Sequence, residues 1–332
     1  MSELHIKENI IDSLCNILIK RLSKYDSILS VILIGSCARG EETYCLDKTG
    51  KKLLYSDIEF FAVVKGKSQI ASIKKCVSQL NSEFLLKETS PLFEISVGFL
   101  FVDSIRRIDK RFIIFETKKC GRVVYGDDIW LNKLPIITCK NINRSNMVCI
   151  INQRLYHVLS EWNKLSSCEK KYCIARNSLD VLTIFLTFSG VLISTYSSRN
   201  RFLKEHQELI DGVFDNSFID RLNDYLAMKL NMSSELYGFY EETEMLQNFC
   251  LDMHNLIAFL SAKNGNPFLH DRYRIVRAIA KMRFSDIYFE MKRPVVEFNL
   301  EKKMLNFLEC NYWTQEDIDN CSLLMSELYK KR

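Results

Sequence analysis

Proline and glycine are scarce in this chain, with four prolines and eleven glycines in 332 residues. Long flexible linkers draw on those residues, so the composition leaves little room for them or for disorder. Paired cysteines are missing as well. There are twelve cysteines but no C-x-x-C pair, and the five histidines do not fall near them at zinc-finger spacing. That excludes a finger-type zinc site, and scattered free thiols point to a reducing cytoplasm. A large charge of one sign is also lacking: the net charge is +5, which by itself does not indicate nucleic-acid binding. The first ten residues, MSELHIKENI, carry acids and no apolar core, so no secretory signal is expected. No repeat of fixed period is visible.

What is present is an ordinary globular mixture, 47% hydrophobic and 26% charged. At this length two domains are the default expectation. Apolar spacing predicts a helix over 3–24, strands at 29–35 and 57–64, a helix over 68–86 and a third strand at 92–102. The run Phe112 to Phe115 fits strand or helix. Periodicity fades around Pro135 to Asn143, which places a boundary near residue 140. Beyond it the pattern is almost wholly helical, at 145–164, 169–196, 199–212, 217–230, 235–263, 272–283, 301–310 and 314–331. The run 181–198 has no charge for eighteen residues, close to membrane-span length. Its serines, threonines and glycine favour a buried core helix.

The chemistry concentrates in residues 31–64. An apolar run, Val31 to Ile34, ends at Gly35-Ser36. A second run, Ile58 to Val64, carries Asp57 and Glu59, two residues apart. On a strand, i and i+2 share a face, so two carboxylates project together from an apolar sheet edge. Like charges so placed repel, and burying either is costly. A divalent cation relieves both problems, and an oxygen-only ligand set suits Mg²⁺ or Mn²⁺. Gly35 permits close backbone approach and Ser36 offers a hydroxyl and an N–H. A helix beginning near Ser36 would offer free N–H groups to an anion, and Arg39 adds a planar donor suited to phosphate. A phosphate cradle beside a metal-binding acid pair describes a nucleotide site.

At these residues the chain resembles the nucleotidyltransferase superfamily of DNA polymerase β type. The resemblance rests on G-S-x-x-x-G at 35–40 and S-D-I-E at 56–59, each at the end of an apolar run. It implies an α/β N-terminal domain, 1–140, with a mixed sheet flanked by helices, and an all-α C-terminal domain, 141–332, that binds the acceptor and closes the cleft. It also implies two Mg²⁺ ions, ATP as donor and a hydroxyl-bearing acceptor, such as an aminoglycoside or lincosamide antibiotic. A protein acceptor, as in AMPylating or antitoxin-type members, is the alternative. Asp57 and Glu59 become metal ligands, and Gly35, Ser36, Arg39 and Ser56 line the triphosphate. The third carboxylate of the family maps to Glu94; Ser96 at the key position, or Glu94 facing solvent, are the competing readings. One departure stands out. Twenty residues separate Ser36 from Asp57, about twice the usual gap, and the excess from Cys45 to Leu53 reads as an inserted hairpin or loop.

Arg176 and Asp180 stand at i and i+4 on one helix face. The resemblance gives them phosphate and acceptor contacts across the cleft; a structural salt bridge explains the spacing equally well. Lys118, Lys119 and Arg122 face either phosphate or solvent. Tyr172, Tyr196 and Arg199 are weaker cleft candidates. Arg201 and His206 formally fit a short ribonuclease pattern that is common by chance. The basic segment 270–284 and the acids Glu235, Glu241, Glu242 and Glu244 fit solvated faces or ligand contacts.

Overall fold

A computed structural model describes residues 2–46, 49–84, 94–143, 146–147, 150–151, 153–154, 157–158, 165–233 and 235–264. The helices expected at 272–283, 301–310 and 314–331, the basic segment 270–284 and the beginning of the third strand lie outside them. The chain is mixed α/β, with a mixed sheet and a high helical content. It separates into two compact units: the first holds 2–143 with Leu192–Arg199 and 227–233, the second 146–191, 200–226 and 235–264.

The first unit begins with α1 (Ser2–Leu22) and β1 (Ile28–Ile34). A one-turn helix, α2 (Gly35–Arg39), follows, then β2 (Tyr44–Leu46) and β3 (Lys52–Leu54). These two short strands pair antiparallel, so the long gap before Asp57 holds a hairpin. Then come β4 (Ile58–Val64), α3 (Ile70–Phe84), β5 (Ile95–Phe101), a 3-10 turn, α4 (Phe112–Cys120), β6 (Arg122–Gly126) and α5 (Ile129–Lys133). The main sheet runs β5-β4-β1-β6; β4 and β5 are parallel and the other pairs antiparallel.

Alternation builds the core. Val31 and Leu33 of β1 share a face with Ile58, Phe60, Ala62 and Val64 of β4, packed against Leu14, Leu18 and Leu22 of α1 and Ile73, Val77 and Leu80 of α3. Removing one such side chain, as in Leu18→Ala, costs about 2–5 kcal/mol. The opposite face of β1 meets α4. A Cβ on Gly121 there would sit 3.1 Å from Ile32 Cγ2 and 2.4 Å from the Thr117 carbonyl oxygen, so only glycine fits. The ambiguous run at 112–115 therefore resolves as helix.

The second unit is helical in its described parts. Its central element, α6 (Ser167–Phe188), starts with a capping box: Ser166 N–H donates to the Glu169 carboxylate at 2.8 Å while Glu169 N–H donates to Ser166 Oγ at 3.5 Å. Then come α7 (Tyr196–Glu205) and α8 (Phe218–Leu230), of which 196–199 and 227–230 belong to the first unit, the short α9 (Leu236–Phe239) and α10 (Glu242–Asn264). Phe185 of α6 packs on Phe214 and Phe259, ring centres 5.2 and 5.0 Å away.

Three helix expectations are corrected. The uncharged run 181–198 is not one helix, because α6 stops at Phe188. Gly190 takes φ +93°, and Val191 N–H returns to the Leu186 carbonyl, a left-handed C-terminal turn that glycine favours. Among the described residues no helix is long and apolar enough to cross a membrane. The helix expected at 199–212 begins at Tyr196, where the Glu41 carboxylate accepts the first free N–H groups, and ends at Glu205. The helix expected at 235–263 is broken by Tyr240, extended at φ −102° and hydrogen-bonded through its hydroxyl to Asp224.

Candidate active site at the carboxylate edge

Sheet register gathers the acids. Glu59 of β4 lies opposite Ser96 of β5 and Ile34 of β1. Asp57 directly precedes β4 and Glu94 directly precedes β5; in parallel register they adjoin. Glu94 N–H donates to Asp57 Oδ1 at 3.0 Å, and Ile58 N–H donates to the Glu94 carbonyl at 3.0 Å. Asn81 of α3 fixes the start of β5, donating to the Ile95 carbonyl at 2.9 Å and accepting from its N–H at 2.8 Å. That amide fills the place of a neighbouring strand on an edge that would otherwise be open.

The expectation that Glu94 sits in the body of an apolar strand is corrected. β5 starts at Ile95, and Glu94 is exposed. No burial cost therefore bears on it; its link to the site is the hydrogen bond to Asp57. Asp57 and Glu59 are half-buried, while Ile58 between them is fully buried, as the alternation requires.

The Gly35-Ser36 turn meets this edge directly. Gly35 has φ +69°, and a Cβ there would lie 2.1 Å from Glu59 Oε2. The Glu59 carboxylate thus occupies the space that a side chain at position 35 would fill. Cys37 donates through Sγ to the Asp57 carbonyl at 3.6 Å, tying the one-turn helix to the start of β4. Burial, with the Glu42 charge beside it, pushes the Cys37 thiol well above its usual range, so it stays a neutral thiol. Ser56 is buried, and its Oγ accepts from Thr43 N–H at 2.7 Å, so that hydroxyl braces the hairpin base.

Arg39 is placed otherwise than the phosphate expectation had it. Its Nε reaches Glu41 at 3.2 Å and its Nη1 reaches Glu116 at 2.9 Å, and its side chain is almost fully buried. Burial alone would favour the neutral form, but Glu116, Tyr196 and Glu41 outweigh it and hold the guanidinium charged. Arg199 completes the group: Nη2 meets Glu116 at 2.6 Å, Nε donates to the Ile193 carbonyl at 2.9 Å, and the guanidinium lies over the Phe112 and Tyr196 rings. Two arginines and two glutamates thus form a closed buried set, and Arg199 is no cleft residue.

Asp180 is buried in the second unit, with its carboxylate 2.5 Å from Arg154 Nε. Arg176 lies one turn earlier on α6 and is half-buried. Exposed Arg201 and half-buried His206, whose ring lies tilted against Phe202 with centroids 4.3 Å apart, complete the helical candidates.

Two residues of the first unit escaped the sequence reading. Glu42 is buried, with Oε1 accepting from the Tyr44 hydroxyl at 3.4 Å and Oε2 without a hydrogen bond. Lys229 is buried at the end of α8, its carbonyl accepting from Thr43 Oγ1 at 2.7 Å. The pairing between positions 43 and 229 is far too long-range for periodicity to show; the one local hint is the acid pair Glu41-Glu42 directly after the turn.

The donor set fits a hard divalent cation in kind: three carboxylates from adjacent strand starts, oxygen only. Glu59 is half-buried against apolar neighbours, and among the described residues no lysine or arginine pairs with it or with Glu94. As they stand, no three His, Cys, Asp or Glu side chains among the described residues are gathered into a metal-ready cluster. Among the described residues no cysteine is in a disulfide. No protein-family model, no curated protein and no solved structure matches the chain.

Proposed function

We propose that this chain is a Mg²⁺-dependent nucleotidyltransferase. It moves a nucleoside monophosphate, AMP from ATP, onto a hydroxyl of a small-molecule acceptor such as an aminoglycoside or lincosamide. One observation carries the reading: Asp57, Glu59 and Glu94 sit at the starts of two parallel strands, with the Glu59 carboxylate seated against Gly35 of the turn that follows β1.

In this reading Asp57, Glu59 and Glu94 hold the cation. When bound, it neutralises charge on the attacking and leaving oxygens. Gly35 and Ser36 bring backbone N–H groups and a hydroxyl to the β- and γ-phosphates. Glu94, the exposed acid, takes the proton from the acceptor hydroxyl. That oxygen attacks the α-phosphorus, a new P–O bond forms, and the bond to the bridging oxygen of the β-phosphate breaks, releasing pyrophosphate. Positioning supplies most of the remaining acceleration. Arg39 has no part in these steps, because Glu41 and Glu116 already engage it.

The test is transfer from α-labelled ATP, GTP, CTP and UTP with Mg²⁺, offered to an aminoglycoside and lincosamide panel and to a whole-cell extract. Label on a drug supports the reading and identifies the donor. Label on a protein band alone moves the acceptor to protein. No label anywhere, with no change in melting temperature on adding Mg²⁺-nucleotide, removes nucleotidyl transfer.

A further inference from the structure

The turn that would hold the donor phosphates has lost its nearest cation, because Arg39 is committed to Glu41 and Glu116. The fold brings another from far along the chain. After α8 the chain runs beside the hairpin: Thr43 Oγ1 donates to the Lys229 carbonyl at 2.7 Å, Met232 N–H to the Tyr44 carbonyl at 3.0 Å, and Leu46 N–H to Ser233 Oγ at 3.1 Å. Tyr44 also forms a parallel bridge with Asn231. Thr43 is in turn held by Ser56, the neighbour of Asp57. Lys229 is therefore anchored two hydrogen bonds from the residue before the acid pair.

Its side chain is buried, with 3% of the residue exposed. A buried ammonium demands negative charge around it. Glu42 supplies part: it is 8% exposed, and its Oε2 makes no hydrogen bond. The Lys229 ammonium and the carboxylates of Glu42 and Glu59 all act on the Cys37 thiol, two residues past Gly35. The Lys229 cation thus shares this part of the turn with the Glu42 and Glu59 carboxylates.

We infer that Lys229 is the donor-phosphate residue of this site, with Glu42 beside it as the counter-charge of the empty state. The inference rests on the nucleotidyltransferase reading and assigns its triphosphate contact to a residue from the far end of α8. The hairpin gains a purpose: it is the docking strand that delivers Lys229.

The experiment titrates Mg²⁺-ATP, and separately Mg²⁺-tripolyphosphate, into the full chain and into Lys229→Met, Lys229→Arg and Glu42→Gln, by calorimetry and by melting shift. Lys229→Met is expected to bind both probes about ten- to a hundredfold more weakly, the size of losing one buried charge contact. Lys229→Arg should recover part of the loss, and Glu42→Gln should keep or tighten binding. In turnover the Met variant should raise the donor KM and leave the acceptor KM unchanged. Equal binding by wild type and Lys229→Met overturns this inference alone. Wild type that binds neither probe and transfers no label overturns the nucleotidyltransferase reading and this inference with it. Should the Met variant not fold, Lys229→Gln takes its place under the same criteria.

Discussion

At the scale of single residues, two acids and a glycine carry distinct predictions. Asp57 accepts the Glu94 N–H through Oδ1, a contact that asparagine keeps. Asp57→Asn should therefore melt like wild type, while losing transfer by about a thousandfold, since it removes charge where cation binding is proposed. Full turnover with an unchanged melting curve would take the metal role away from Asp57. Gly35→Ala works through space and strain. At φ +69° an alanine costs about 1–2 kcal/mol, and its Cβ would collide with Glu59 Oε2. A melting point a few degrees lower with transfer almost abolished is expected; proportionate losses would reduce Gly35 to a stability residue.

Asp252 titrates where no function has been placed. Arg221 reaches it at 2.8 Å while holding Asp215 through both nitrogens. Burial of Asp252 outweighs that attraction and pushes its carboxyl up to about 7. A raised folded-state value means the fold favours the protonated acid. The associated stability is full below the ordinary carboxylate range and is lost as pH rises toward 7. Tyr225 and Tyr240 share this cluster, and burial pushes both phenols up, away from that window. Denaturant melts of wild type should therefore lose stability between about pH 4 and 7, and Asp252→Asn should flatten that slope. Parallel slopes for the two proteins would show that Asp252 is charged throughout.

At the scale of elements, Glu41 shows how a local rule and a distant contact join. Its carboxylate accepts from Tyr196 N–H at 3.1 Å, Ser197 N–H at 2.8 Å and Ser197 Oγ at 3.0 Å, capping α7. Burial alone would raise its pKa, but those N–H groups and Arg39 pull it below the ordinary value. That stability is present above the ordinary glutamate range and disappears as pH falls through it. Glu41→Gln leaves two buried arginines facing Glu116 alone and should cost about 2–4 kcal/mol near neutral pH, with the difference shrinking in acid. Urea melts at neutral pH and at pH 3.5 check both statements.

Elements with a strong local period were legible in the sequence: α1, β1, β4 and the amphipathic α3 fall within a few residues of expectation. So did the turn at Gly35-Ser36 and the acid pair, because a charge pattern that breaks an apolar run is visible in one dimension. What escaped was whatever depends on a distant partner. α7 starts early because of Glu41, 155 residues away. Arg39 looks like a phosphate ligand until Glu116, 77 positions on, claims it. Phe93 and Ile95 on either side of Glu94 point to a strand body, whereas the hydrogen bond to Asp57 is what places it. Lys229 has no signal at all outside the fold.

At the scale of the whole molecule, the fade of periodicity near residue 140 suggests that the chain could be cut there into two independent pieces. The first unit says otherwise, since it includes Leu192–Arg199 and 227–233 as well as 2–143. Without the first of these segments Glu116 loses Arg199 and keeps only Arg39, and Glu41 loses the helix start that it caps. Without the second, Thr43, Tyr44 and Leu46 lose their partners on the hairpin. Each lost buried hydrogen bond or ion pair costs about 1–3 kcal/mol, and several together exceed a typical net stability of about 5–15 kcal/mol. A fragment of residues 1–143 is therefore expected to melt without cooperativity or to aggregate, judged by near-ultraviolet circular dichroism and calorimetry, while the full chain melts sharply. A fragment that melted cooperatively at the full chain's temperature would mean that the returning segments add nothing to the sheet unit, and the anchoring given to Lys229 would fall with it.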